Sequence, residues 1–255
     1  MLYIAARQSL SFVVVPYGVF VGTRAFFGTA GGYHQVMWPS YPCAATVVIS
    51  VGETSIPASG FRGCSVLRNI SIPQSVTSIG ERAFEGCSSL TAITIPVGVT
   101  SLPDKLFKDC SSLENITFEG GNVSSFGQEV FQRTALTAFT MPDGVASVGR
   151  NCFDGCSSLT SVHLPDSLTE LPGAIFMQNH NLVSVRLPAR LTSIGQSAFH
   201  NCHRLASIAF PETLTHIWAY AFYSNQALTN ITLPANISYI GNYAFLGASV
   251  RHCNA

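Results

Sequence analysis

Three columns of residues repeat every 23 positions. Proline recurs at Pro73, Pro96, Pro142, Pro165, Pro188, Pro211 and Pro234, with Glu119 filling the one gap. Phenylalanine keeps the same period at Phe84, Phe107, Phe153, Phe176, Phe199, Phe222 and Phe245, and leucine at Leu67, Leu90, Leu113, Leu136, Leu159, Leu182, Leu205 and Leu228. A unit this short cannot bury its apolar face alone, so the units must stack into one continuous core. The unit near Gly120 carries one extra residue and the segment Phe131 to Leu136 is one shorter, so the register is restored.

The repeating pattern is Leu-x-x-Ile-x-Ile-Pro, then Val-Thr-Ser-Ile-Gly, then x-x-Ala-Phe-x-x-Cys-Ser-Ser. Apolar residues at the first, fourth and sixth positions predict a short strand with one buried face. Proline ends it because it has no N–H for the ladder. The Ala-Phe segment predicts one short helical or 3₁₀ turn pressing its aromatic ring inward.

The pattern thins towards the N-terminus. Leu10 to Pro16 reads as a strand, Val21 to Phe26 aligns with Ile79 to Phe84, Ile4 occupies the phenylalanine slot, and Pro39 ends the run Tyr33 to Trp38. Pro39 and Pro73 are 34 apart, 23 plus 11, which predicts a truncated unit around Ser40 to Cys43. Residues 1–49 are therefore expected to be degenerate repeats, and residues 50–255 regular ones with the last incomplete, in one continuous domain of about ten units. Leu10 to Gly22, broken by Pro16, has the length of a signal-peptide core but is too short for a membrane span, and the repeat explains it better. Neither end shows the polar cap a free-standing solenoid needs, so the chain is expected to be a fragment or to associate through its ends.

Composition narrows the role. Of 255 residues 47% are hydrophobic and 10% charged, with 13 basic against 13 acidic side chains. That excludes disorder and argues against an electrostatic nucleic-acid partner. Eight cysteines are too few for a disulfide scaffold. Cys64, Cys87, Cys110, Cys156 and Cys202 fall on the repeat grid, whereas Cys43, Cys152 and Cys253 lie off it. One repeated inward slot is implied, with buried free thiols favoured over disulfides between neighbours. Asn179 and Asn225 share that slot, which suggests polar packing against loop backbone.

The units Ile72 to Leu90 and Leu187 to Leu205 resemble the leucine-rich repeats of BspA-like surface proteins. The resemblance implies a leucine-rich-repeat solenoid, a β-rich right-handed superhelix. It also implies a cell-surface or secreted location and a non-enzymatic role in adhesion, co-aggregation or host recognition, with no catalytic residue. The expected partner is a protein, such as a host or extracellular-matrix protein, or a surface glycan. The alternative is an intracellular structural scaffold.

In such a solenoid the outward strand positions are almost all small, uncharged and polar: Asn69 and Ser71, Ala92 and Thr94, Asn115 and Thr117, Ala138 and Thr140, Ser161, Ser184, Ser207 and Ala209, Asn230 and Thr232. His163 and Arg186, one period apart, are the basic feature of this face, read either as two solvated side chains or as a binding hot spot. A second candidate is the aromatic group Trp218, Tyr220, Tyr223, Tyr239 and Tyr243, where Tyr220 and Tyr243 share a column away from the strands. These rings fit an interface, a sugar platform or shielding of the solenoid end.

His180 and His203 share another column, with His200 and Cys202 nearby, but no acidic third ligand stands there. No metal or other cofactor is expected. Five sequons, at Asn69, Asn115, Asn122, Asn230 and Asn236, arise mostly from the repeat's own Asn-Ile-Thr. No Ser-His-Asp group, carboxylate pair or phosphate-cradling loop stands out against the repeat.

Overall fold

A computed structural model describes residues 13–15, 43–249 and 252–254. The readings made for Ile4, Val21 to Phe26 and Tyr33 to Trp38 lie outside these residues. The described chain is a parallel β-solenoid of about eight turns. Each turn is held to the next by three backbone ladders.

The first ladder is formed by the strands that proline ends. Thr46–Ile49 pairs with Asn69–Ser71, Ala92–Ile95 with Asn115–Phe118, and Ala138–Thr140 with Ser161–His163 and then Ser184–Arg186, all parallel and advancing 23 residues per turn. Val13–Val15 also pairs in parallel with Thr46–Ile49, as Val13 opposite Val47. Burial alternates along these strands as the sequence pattern requires, for example exposed, buried, exposed, buried over Ala92–Ile95.

The second ladder consists of two-residue strands such as Ser78–Ile79 and Ser193–Ile194, each with its apolar residue inward. Here Ser101 pairs with Ser125 and Ser125 with Ser147, steps of 24 and then 22. The extra residue near Gly120 is thus absorbed within one turn, as its sequence position implied. Gly80 closes this strand because a Cβ there would come within 2.2 Å of the Ala58 backbone nitrogen.

The third ladder replaces the expected helical or 3₁₀ turn. Among the described residues no helix forms. Instead, successive amides alternate their partners. Ala83, Glu85 and Cys87 bond locally to Gly80, Arg82 and Phe84, while Arg82, Phe84 and Gly86 bond to the carbonyls of Asp104, Leu106 and Lys108 on the next turn. Turning alternate amides outward requires left-handed backbone at two positions per turn. Arg82 and Gly86 have φ of 57° and 75°, and Lys105 and Asp109 repeat them at 57° and 60°. A helix would have kept those amides for itself, so the inter-turn ladder displaces it.

Between the ladders runs the core. Phe61, Phe84, Phe107, Phe131, Phe153, Phe176, Phe199 and Phe222 are all fully buried. Their rings stack in one file, neighbouring centroids lying between 5.1 and 5.9 Å apart. Burying each ring is worth about 1.5–3 kcal/mol, and the offset stacking adds to it.

Beside this file lies the cysteine slot. Cys87, Cys110, Cys156 and Cys202 are free and buried, as expected. Cys64 departs from that expectation and forms a disulfide with Cys43, their Cα atoms 5.3 Å apart. Cys43, off the sequence grid, takes the place next to Cys64 that a preceding unit would fill. The separation suits a disulfide, whereas ladder neighbours Cys64 and Cys87 remain unlinked.

Candidate binding surfaces

The strand ladder exposes its even-handed rows of small side chains to solvent. Asn115, Thr117, Thr140, His163, Ser184 and Arg186 are exposed, and Ser161 is half-buried. Asn115 and Thr117 sit on the two-stranded ladder with Ala92–Ile95, whereas the other five share the three-stranded sheet that follows. These five line a shallow hollow of about 420 Å³ floored by Phe139, Val162 and Val185.

Pairing places His163 directly opposite Arg186. Arg186 Nη1 lies 2.9 Å from His163 Nε2, and Nη2 donates to Asp166 Oδ2 at 3.4 Å. The bond to His163 requires that ring nitrogen to be the unprotonated one. Asp166 also accepts from the Ala189 amide at 3.0 Å. That amide first, and the Arg186 guanidinium second, hold the Asp166 carboxyl below its ordinary range. Asp166 was not singled out from the sequence. Its signal was available, since it follows the strand-ending Pro165 and so sits at the rim of the strand face.

The aromatic residues divide into two groups. Tyr220 and Tyr243 are neighbours at 5.3 Å, and Tyr223 packs on Tyr220 at 5.8 Å. Tyr220 and Tyr243 occupy the left-handed position of the turn ladder, with φ of 59° and 60°. Trp218 and Tyr239 belong to the short-strand face instead, 5.2 Å apart, with His216 within 6.0 Å of both. In the sequence these rings read as one patch, because column positions two residues apart look adjacent until the turn separates them.

His180 and His203 do stack, at 4.8 Å. Among the described residues no three His, Cys, Asp or Glu side chains come together as metal ligands. No described helix is long and apolar enough to cross a membrane.

A leucine-rich repeat protein from Bacteroides ovatus matches 77% of the chain at 32% identity and a TM-score of 0.73. The match covers 53% of that protein, so the chain spans about half of its length. The T. pallidum leucine rich repeat protein matches 63% of the chain and 77% of its own length at 31% identity and a TM-score of 0.58. Pneumococcal vaccine antigen PcpA matches 98% of the chain and 73% of its own at 22% identity and a TM-score of 0.64, a likeness of fold. Comparison with curated proteins finds no match. The BspA type leucine rich repeat region matches residues 42–160 and 124–251, in 6 copies, and the chain belongs to that family.

Proposed function

We propose that the chain is a non-enzymatic protein-binding module whose strand face engages an extracellular protein in adhesion or host recognition. One observation carries this reading: His163 and Arg186, the latter also bonded to Asp166, line an open hollow on a sheet otherwise surfaced by small uncharged residues. Such a sheet lets a partner's loop approach closely, and an arginine held by two neighbours loses less freedom on binding than a free one. Arginine is also enriched at interface hot spots. The disulfide between Cys43 and Cys64 supports a secreted or cell-surface location, since such bonds persist in oxidising compartments.

The test is binding of the chain to immobilised extracellular-matrix proteins. Arg186→Glu gives up the exposed contacts to His163 and Asp166, which should cost about 1 kcal/mol of stability and leave the chain folded, and should weaken binding more than tenfold, ~1.4 kcal/mol. Asn115→Ala, on the separate two-stranded ladder, should have a smaller effect. Unchanged binding by Arg186→Glu would remove the strand face as the site. Failure of every matrix protein to bind the parent chain would remove the adhesion reading.

A further inference from the structure

The repeats supply their own baseline, and the short-strand face departs from it in one region. The outward residue of this strand is serine in six turns: Ser55, Ser78, Ser101, Ser125, Ser147 and Ser193. In three turns near the C-terminal end it becomes Glu170, His216 and Tyr239, and pairing sets Glu170, Ser193, His216 and Tyr239 side by side in that order. Two residues further on, where glycine or proline stands in the other turns, the chain places Trp218. The turn itself does not call for an indole, since glycine or proline closes it elsewhere. We propose that Trp218, Glu170 and their neighbours form a carbohydrate site that binds a neutral pyranose unit of a glycan.

The geometry fits that ligand class. Trp218 is 44% exposed and Tyr239 43%, so both reach solvent. The indole packs against two rings that also touch each other, His216 at 5.9 Å and Tyr239 at 5.2 Å with 6.0 Å between those two, while His216 Nδ1 is itself fixed by Thr215 Oγ1 at 2.8 Å. A fixed aromatic plate suits the apolar C–H face of a sugar ring, the ring supplying apolar area at little cost in freedom.

Beside the plate lies a hollow of about 320 Å³ lined by Arg150, Glu170, Ser193 and Gln196 as well as Trp218. Its size is at the lower end of small-ligand sites, about 300–1,000 Å³. The polar side chains offer both donors and acceptors, which is what vicinal hydroxyls require. One arginine against one carboxylate leaves no excess charge, which selects a neutral sugar over a sialylated or amino sugar. This site lies on a different ladder from Arg186 and stands independently of the strand-face reading.

The experiment uses the full chain with Trp38→Phe, so that Trp218 is the sole indole. Its fluorescence is titrated with cellobiose, lactose and maltose, and with sialyllactose as the anionic counter-probe. A saturable change with at least one neutral disaccharide, and a weaker one with sialyllactose, is expected. Calorimetry of that disaccharide should show at least a tenfold loss with Trp218→Ala, partial retention with Trp218→Phe, a several-fold loss with Glu170→Gln, and no change with Arg186→Glu. Melting curves of the variants separate lost binding from lost folding. No saturation by any neutral disaccharide overturns the proposal, as does unaltered affinity in folded Trp218→Ala. Loss of a matrix protein on Trp218→Ala without any sugar binding overturns it too, and assigns the plate to a protein.

Discussion

The thiol of Cys202 donates a hydrogen bond to the carbonyl oxygen of Phe176, at 3.1 Å, across 26 residues of sequence. The same bond recurs from Cys87 to Phe61, Cys110 to Phe84 and Cys156 to Phe131, at 3.1, 3.0 and 2.9 Å. Asn179 makes it with its amide, to Phe153 at 2.8 Å. In these five turns the slot holds a side chain that donates, and cysteine does so while staying apolar enough for the core, whereas Asn225 in the same slot accepts from the Cys202 amide at 2.8 Å instead. Burial opposes ionisation, pushing the thiol of Cys87 up to about 12 and that of Cys156 to about 11.

Cys202→Ala should cost about 1–3 kcal/mol, because it leaves the buried Phe176 carbonyl unpaired. Cys202→Asn should cost less than Cys202→Ala, as Asn179 already fills the slot. Urea unfolding of the three proteins decides it. Alkylation followed by peptide mapping should find Cys87, Cys110, Cys152, Cys156 and Cys202 protected in the native state and reactive after denaturation, since the thiolate is the reactive form.

Phe153→Ala should destabilise the fold by about 3–5 kcal/mol. The ring lies between Phe131 at 5.1 Å and Phe176 at 5.6 Å, with Phe139 at 5.0 Å, and is fully buried. A melting temperature within a degree of the parent would show that the neighbouring rings close the gap at no cost.

The phenylalanine file, the alternation of the strands and the compensated insertion at Gly120 were all legible because each follows from spacing alone. The turn ladder was not. Whether Ala83-Phe84 closes a helical turn depends on where the amides of Arg82 and Gly86 go, and their acceptors lie 22 residues on, in the next unit. The disulfide was missed for a related reason: Cys43 lies off the grid, and only three-dimensional stacking brings it to Cys64. On the candidate sites, the pairing of His163 with Arg186 followed from the period. The separation of Trp218 from Tyr220 did not, since it depends on the left-handed backbone at Tyr220.

Ala174→Gly should raise stability, and Ala174→Val should lower it. Ala174 has a φ of 56° and sits at the left-handed position of the turn ladder. An L-residue there costs roughly 1–2 kcal/mol, while glycine's extra unfolded-state freedom returns only about 0.5–1 kcal/mol. A net gain of between zero and about 1.5 kcal/mol remains, and valine adds a β-branched clash. Equal melting temperatures for the two variants would contradict the assigned backbone.

His200 makes the fold sensitive to acid. Its imidazole titrates below the ordinary 6.5, chiefly because it is partly buried and secondly because His203 stands near. The unfolded chain then takes up this proton more readily than the folded one, so stability falls as pH drops below 6.5 and levels off once the folded ring is protonated. His200→Gln should show a shallower loss of melting temperature between neutral and mildly acidic pH than the parent. Parallel curves would assign the acid sensitivity elsewhere.

Reduction of the disulfide should destabilise the N-terminal turns without dissolving the rest. The bond between Cys43 and Cys64 closes a loop with a sequence separation of 21, for which chain entropy gives about 3 kcal/mol of stabilisation. Because each turn of a solenoid contacts only its neighbours, the loss should remain local and not spread along the stack. Hydrogen exchange with and without reductant separates the possibilities. Faster exchange at Phe61, Gly63 and Cys64, with the Phe199 and Phe222 amides unchanged, is the expected pattern. Cys43→Ser should reproduce it without reductant, and should leave the Cys64 thiol open to alkylation while Cys87 remains protected. Uniform acceleration along the whole chain would show instead that the stack unfolds as one cooperative unit, with the disulfide stabilising all of it.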